Sequence, residues 1–218
     1  MKTFAVLTGD IVDSTKLAIS ERKVLMKNLD YLFTRLEAKN ELQLNIPFEV
    51  FRGDSFQGLL DTPAEALRVA LLIRSYLKSD FYSGQNLDAR IGIGIGTVAY
   101  KSPKLSESDG EAFHYSGRLL DGMKKHPNRI EVQSSWPSLD AEINTGLVLL
   151  ETIASKWTAA QADIMYLKLL GHTEVNISST LGITQSAVNQ RSNAASWNAI
   201  DVFVKRFYTI VLHHVNSK

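Results

Sequence analysis

The sequence predicts an α+β protein: a ferredoxin-like antiparallel sheet with its helices on one face, followed by an all-α helix-turn-helix domain. Three observations carry that expectation. Strand and helix signals alternate as β-α-β-β-α-β-α-β through residue 134, and the first six follow the split β-α-β order. From Leu147 onward the signals are helical only, and no proline follows Pro137. The chain has 218 residues, 44% hydrophobic and 22% charged, which suits one medium domain, or one medium and one small.

The elements follow in order. "KTFAVLTGD" has the apolar, β-rich texture of a buried strand. A helix is expected from Ser14 to Ala38, with Leu17, Val24, Leu25, Leu29, Leu32, Phe33 and Leu36 near a 3.6 period and Asp13 or Ser14 as its N-cap. "NIPFEVFR" and "DSFQGLLD" form a hairpin around Gly53 and Asp54. "TPAEALRVALLIRSYLKS" is a helix with Thr62 as cap, Pro63 at its first position and Glu65 completing a capping box. "DARIGIGIGTVAY" is a strand with isoleucines on one side and glycines on the other, the glycines letting a helix or ligand approach closely. "EAFHYSGRLLDGMKK" is a short helix and "NRIEVQSS" the last strand. "SWPSLDAEINTG" reads as a linker or short helix, which sets expected domains at 1–137 and 138–218.

Composition excludes several classes. There is no cysteine, so disulfides, thiolate metal sites and cysteine nucleophiles are out. No apolar run approaches the roughly 20 residues that span a bilayer. "MKTFAVLTGD" lacks the apolar core and cleavage site of a signal peptide, so a cytoplasmic protein with no membrane partner is expected. The net charge of +1 provides no global field for nucleic acid, so any DNA contact must come from a local surface.

Asp10 closes the first strand and Asp54 occupies the hairpin turn. Alone, the one is an ordinary strand-end residue and the other an ordinary turn former. In a split β-α-β sheet, however, the first and third strands are neighbours, so both carboxylates arrive at one edge. Two carboxylates with nucleotide phosphates make an ordinary Mg²⁺ shell. The expected helix start brings the free N–H groups of Asp13, Ser14 and Thr15 to the same edge, beside Gly53, as a phosphate site. No Walker A sequence occurs, and "IGIGIGT" does not complete G-x-G-x-x-G.

These residues carry a resemblance. "FAVLTGDIVDSTKL" and "RGDSFQGLL" resemble the two metal motifs of class III nucleotide cyclases, and "ARIGIGIGTV" the strand that follows them. "GDSFQGLL" is similar to the "GDEFQ" run of the SatD-like family, which pairs such a palm with a C-terminal helix-turn-helix. The resemblance implies Asp10 and Asp54 as metal ligands, assistance from the Ile11 carbonyl, and Arg118 on phosphate or on transition-state charge. It implies Mg as cofactor and a homodimer as the active form. His114 stands where the cyclases have a catalytic Asn, and Val50 where adenylyl cyclases have a base-selecting Lys.

In the C-terminal part, "WTAAQADIMYLKLLGHTEVNISSTLGITQSAVNQR" contains three helical pieces with a Gly-Ile turn before the last. The last starts at the cap Thr184. Val188 faces inward, and Gln185, Ser186, Asn189, Gln190 and Arg191 form an outward face able to pair with adenine and guanine edges. Residues 151–218 hold six Lys+Arg against four Asp+Glu, so phosphate attraction is weak. In "WNAIDVFVKRFYTIVLHHV", Ile200, Phe203, Phe207, Ile210 and Val211 make a stripe that either pairs two protomers or covers the protein's own core. The expected function is a DNA-binding transcriptional regulator responsive to a nucleoside triphosphate or cyclic nucleotide. The alternatives are an active Mg-dependent cyclase or nucleotidyl transferase, and a scaffold in which neither site works.

Overall fold

The computed structural model describes residues 2–37, 47–51, 53–124 and 127–217. The expected ends of three elements, at Ala38, Asn45–Ile46 with Arg52, and Lys125, lie outside the described residues. Strand β1 is Phe4–Ile11, followed by a 3₁₀ turn at Ser14–Lys16 and helix α1, Ile19–Glu37. The hairpin strands are β2, Phe48–Phe51, and β3, Ser55–Leu60. After them come α2 (Ala66–Lys78), β4 (Ala89–Gly96), α3 (Glu111–Met123) and β5 (Ile130–Ser134). Five helices complete the chain: α4, Pro137–Ala154; α5, Ala159–Leu169; α6, Glu174–Leu181; α7, Gln185–Ala194; and α8, Trp197–Asn216.

The sheet order is β2-β3-β1-β4-β5. Its first four strands are antiparallel in split β-α-β order. Two expectations need correction. The sheet is not wholly antiparallel, because β5 adds to β4 in parallel. Nor do the helices share one face. Ala5, Leu7 and Ile11 of β1 and Ile91, Ile93 and Ile95 of β4 join one apolar cluster with α1 and α2. Val6 and Leu59 point the other way, to Ala112 and Phe113 of α3. The glycines of β4 are the physical reason: a Cβ on Gly94 would come within 2.1 Å of the Ala112 carbonyl oxygen and 2.6 Å of the Ser116 nitrogen. Only a strand without side chains on that face lets α3 lie so close.

The helix expected from Ser14 is also divided. Asp13 has φ 58°, Leu17 is extended, and the Ala18 N–H donates to Glu21 Oε2 at 2.7 Å, which caps the true start of α1. Ser14 is not a cap; its hydroxyl is drawn to Asp54. The capping box expected at Thr62–Glu65 is absent as well. Pro63–Glu65 is a 3₁₀ turn without a side-chain cap, and Glu65 accepts from Arg68 Nε at 2.5 Å.

Where a linker or short helix was expected, α4 runs for 18 residues through 137–154. Asn144 satisfies the N–H and C=O of Val132 at 2.9 and 2.8 Å, closing the outer edge of β5. Helices α4, α5, α7 and α8 contribute to the same apolar cluster as the sheet. Arg74 of α2 reaches Glu151 of α4, and Ser79 donates to Asp163 of α5 at 2.5 Å. In α8, Ile200, Phe207, Ile210 and Val211 are buried in this core, so the stripe covers the protein's own interior.

Candidate functional site

The end of β1 and the β2–β3 turn meet, as the topology requires. The Ile11 N–H donates to the Asp54 carbonyl at 3.0 Å, and Asp10 is in register with Ser55. The two side chains then part. Asp10 is buried and accepts from Arg90 Nε at 2.8 Å, its register partner on β4. Asp54 Oδ2 accepts from the Ser14 hydroxyl at 2.5 Å. Strand alternation explains the parting: Asp10 follows the parity of Val6 and Thr8, whereas Asp54 sits in the turn and faces the start of α1.

A cleft of about 580 Å³ opens there, lined by Ser14, Thr15, Gly53 and Asp54 together with Ile19, Arg22, Lys23 and Met26. Four of the expected site residues thus share one recess. Asp13 lies beside it, exposed and paired to Lys16 at 3.0 Å. The anion-binding helix N-terminus expected at residues 13–15 is not formed, because a three-residue 3₁₀ turn carries little dipole and α1 begins only at Ile19. Positive charge comes instead from Arg22 and Lys23, two residues with no role expected from the sequence. A signal was available. Two adjacent cations, Arg22 and Lys23, stand early in the helix expected after the first strand, near the edge where Asp10 and Asp54 were expected to meet. Arg22 also donates to the Thr15 carbonyl at 3.2 Å, tying α1 to the turn.

The expected catalytic residues stand apart from this cleft. Arg118 is exposed on α3, its guanidinium 5.4 Å from the Tyr115 ring centroid, with no carboxylate partner among the described residues. His114 is exposed near the other end of β4, with Nε2 2.5 Å from Asp109 Oδ1. That contact, with the Gly110 N–H, holds Asp109 below the usual carboxylate range. A single chain therefore does not bring Arg118 and His114 together with Asp54. Among the described residues there is no group of three or more His, Cys, Asp or Glu arranged to hold a metal ion. Nor is any helix among them long and apolar enough to cross a membrane.

In the C-terminal part, Thr184 caps α7 by accepting from the Ala187 N–H at 3.1 Å. Val188 is buried, while Gln185, Ser186, Asn189 and Gln190 are exposed and Arg191 is half-buried. Gly182 closes α6 at φ 64°, so α6 and α7 are joined by a three-residue turn.

The family model described as the SatD family matches residues 4–206. Among solved structures, a bacterial light-regulated adenylyl cyclase is similar at 20% identity and a TM-score of 0.45, covering 60% of this chain and 74% of that one. The catalytic core of a rhodopsin-guanylyl cyclase with converted specificity, in complex with ATPalphaS, is similar at 16% identity and a TM-score of 0.43, covering 55% and 72%. At TM-scores below 0.5 neither neighbour bears on the chemistry of the cleft. No curated protein matches.

Proposed function

The chain belongs to the SatD family, and for this member we propose a nucleotide-responsive, DNA-binding transcriptional regulator. The cleft beside Asp54 takes the phosphates of a nucleotide, and α7 reads DNA. The observation that carries the nucleotide part is the cleft's lining, where Arg22 and Lys23 face Ser14, Thr15, Gly53 and Asp54. Two cations and a carboxylate around one recess suit a metal-bound polyphosphate better than a cyclic monophosphate. Asp54 with the Ser14 hydroxyl fits Mg²⁺, which is commonly held by one or two carboxylates plus phosphate and water. Bound there, Mg²⁺ would offset phosphate charge against Asp54. On this reading Asp54 is the carboxylate that would hold the ion; Asp10, turned to Arg90, and the Ile11 carbonyl would join it only after a rearrangement of the β1 end, and Asp13 would border the phosphates. The DNA part rests on the polar outward face of α7, from Thr184 to Arg191, in a protein that works as a homodimer. Residues 1–137 sense and residues 138–218 read.

The test is thermal unfolding with ATP, GTP or a cyclic nucleotide, each with Mg²⁺. A triphosphate at 100 times its Kd should stabilise the wild type by about 2.7 kcal/mol. Asp54→Ala and the double variant Arg22→Gln/Lys23→Gln should lose that shift. A wild type that does not shift rules out the nucleotide site. Promoter binding that survives Gln190→Ala and Arg191→Ala rules out α7 as the reader.

A second reading is favoured by one observation: Arg118 is exposed and has no carboxylate partner among the described residues, so it is available to a partner protomer. That reading is a Mg-dependent nucleotide cyclase or nucleotidyl transferase assembled across a dimer. It requires turnover that disappears in Arg118→Ala while the nucleotide-induced shift remains.

A further inference from the structure

We propose a second binding site, for a small hydroxylated oxyanion, in the cleft between the end of α2, the start of β5 and α4. It rests on residues separate from the nucleotide cleft. The recess holds about 500 Å³, and its lining includes Lys78, Asp88, Arg129, Glu151, Thr152 and Ser155.

Its two carboxylates are already engaged. Arg74, with no exposed side-chain surface, donates Nε and Nη2 to Asp88 at 2.8 and 2.9 Å. It donates Nη1 and Nη2 to Glu151 at 2.8 and 3.1 Å. Lys78 lies 3.4 Å from Asp88, its side chain only 12% exposed. Among the described residues at the recess, Arg74, Lys78 and Arg129 stand against Asp88 and Glu151, leaving one positive charge in excess. That charge belongs to Arg129, which is half-buried and has no carboxylate partner among the described residues. A guanidinium partly withdrawn from water presents a planar fork that a carboxylate or phosphate fills in bidentate fashion.

The hydroxyls on the α4 wall narrow the ligand further. Thr152 donates its proton to the Leu149 carbonyl at 2.7 Å, and Ser155 donates to the Glu151 carbonyl at 2.6 Å. Each therefore offers lone pairs and no proton to the cleft, so this wall accepts from a ligand's hydroxyl groups. The ligand class is a phosphate ester or carboxylate on a small polyol. Asp88 also accepts the Val12 N–H at 2.8 Å through its backbone carbonyl, which places this site one hydrogen bond from the segment that leads into the nucleotide cleft.

Calorimetric titration of the full-length protein with glycerol 3-phosphate, and separately with inorganic phosphate, tests the site. The wild type and Arg22→Gln/Lys23→Gln should bind glycerol 3-phosphate alike and more tightly than inorganic phosphate. Arg129→Gln, with an unchanged melting temperature in the absence of ligand, should bind it at least about tenfold more weakly, as loss of a charged hydrogen bond requires. Arg129→Lys should fall between. No binding by the wild type, binding unaffected by Arg129→Gln, or loss in the Arg22/Lys23 variant would each overturn the proposal. A failure of nucleotides to stabilise the protein would leave this result untouched.

Discussion

Arg74 is wholly buried, yet its guanidinium donates four hydrogen bonds, two to Asp88 and two to Glu151. Burial alone would lower its pKa; the charge and hydrogen bonds of Asp88, then of Glu151, more than offset this and raise it. Burial would likewise raise Asp88, but Arg74, with help from Lys78 and the Ala89 N–H, holds it below the usual carboxylate range. The consequence for pH has a definite sign. Asp88's contribution to stability is present above its unfolded pKa near 3.9 and is lost as pH falls through its lower folded value. Chemical denaturation between about pH 5 and 2 should therefore show a loss of stability that Asp88→Asn reduces. Arg74→Ala strands two partly buried carboxylates and should cost toward the lower end of about 3–5 kcal/mol at neutral pH. Arg74→Met with Asp88→Asn and Glu151→Gln, which removes the charges together, should recover much of that loss. Arg74 was invisible in the sequence for a physical reason: its partners are 14 and 77 residues away, and nothing local marks a helical arginine as interior. Asp54 was legible because a turn and a strand end are local features whose meeting is dictated by topology. The diversion of Asp10 to Arg90 was not, since it depends on which face each side chain takes.

Among the elements, β4 and α3 form the pair that the sequence made plainest. Alternating Ile and Gly in residues 91–96 announced one face for a core and one for a close approach, and α3 is what approaches. The face assignment of α3 was not legible, because the six-element pattern places only α1 and α2. Gly94→Ala should force α3 away from the sheet and break the packing around the Thr8–Ser116 hydrogen bond, 2.8 Å long. Overpacking of this kind costs about 1–3 kcal/mol, and here backbone atoms lie in the way, so the upper end is expected in a denaturant melt. Gly182→Ala serves as the contrast. No atom lies within 4 Å of its Cβ position, and only the left-handed φ of 64° is at stake, so the cost should be about 1 kcal/mol. Helices α5 to α7 followed the sequence closely because their caps, Thr158, Thr173 and Thr184, each accept a backbone N–H three residues on. The break between the Ser14 turn and α1 was hidden, because the hydroxyl that should have capped a helix serves a carboxylate 40 positions away.

For the whole molecule, the decisive element is α2. From Ala66 to Leu77 every residue but Arg68 is buried, which is the mark of a helix covered on all sides. The sheet covers one side of it. The other meets the helices beyond residue 137, where Tyr76 packs edge-on against Tyr166 at 5.5 Å between centroids, and Tyr82 packs against Tyr166 at 4.6 Å. Burial pushes the Tyr76 and Tyr82 hydroxyls up to about 12, in keeping with rings enclosed by both parts of the chain. The division proposed at 137, a sensing and a reading part, would therefore lie over a shared interior. The fragment 1–137 would bare the outer side of α2 and leave Arg74 without Glu151. It should bind a hydrophobic dye, unfold without a sharp transition and lose any nucleotide stabilisation, whereas the full chain should unfold in one cooperative step. A fragment that melts cooperatively near the temperature of the full chain would mean instead that the helices dock on a finished domain. On the proposed function, a shared interior would link the cleft to α7 through the apolar cluster that Leu25 joins with α2 and α5. Nucleotide binding at Asp54 should then slow hydrogen exchange in α5 as well as in α1, and an effect confined to α1 and the β2–β3 turn would deny that route.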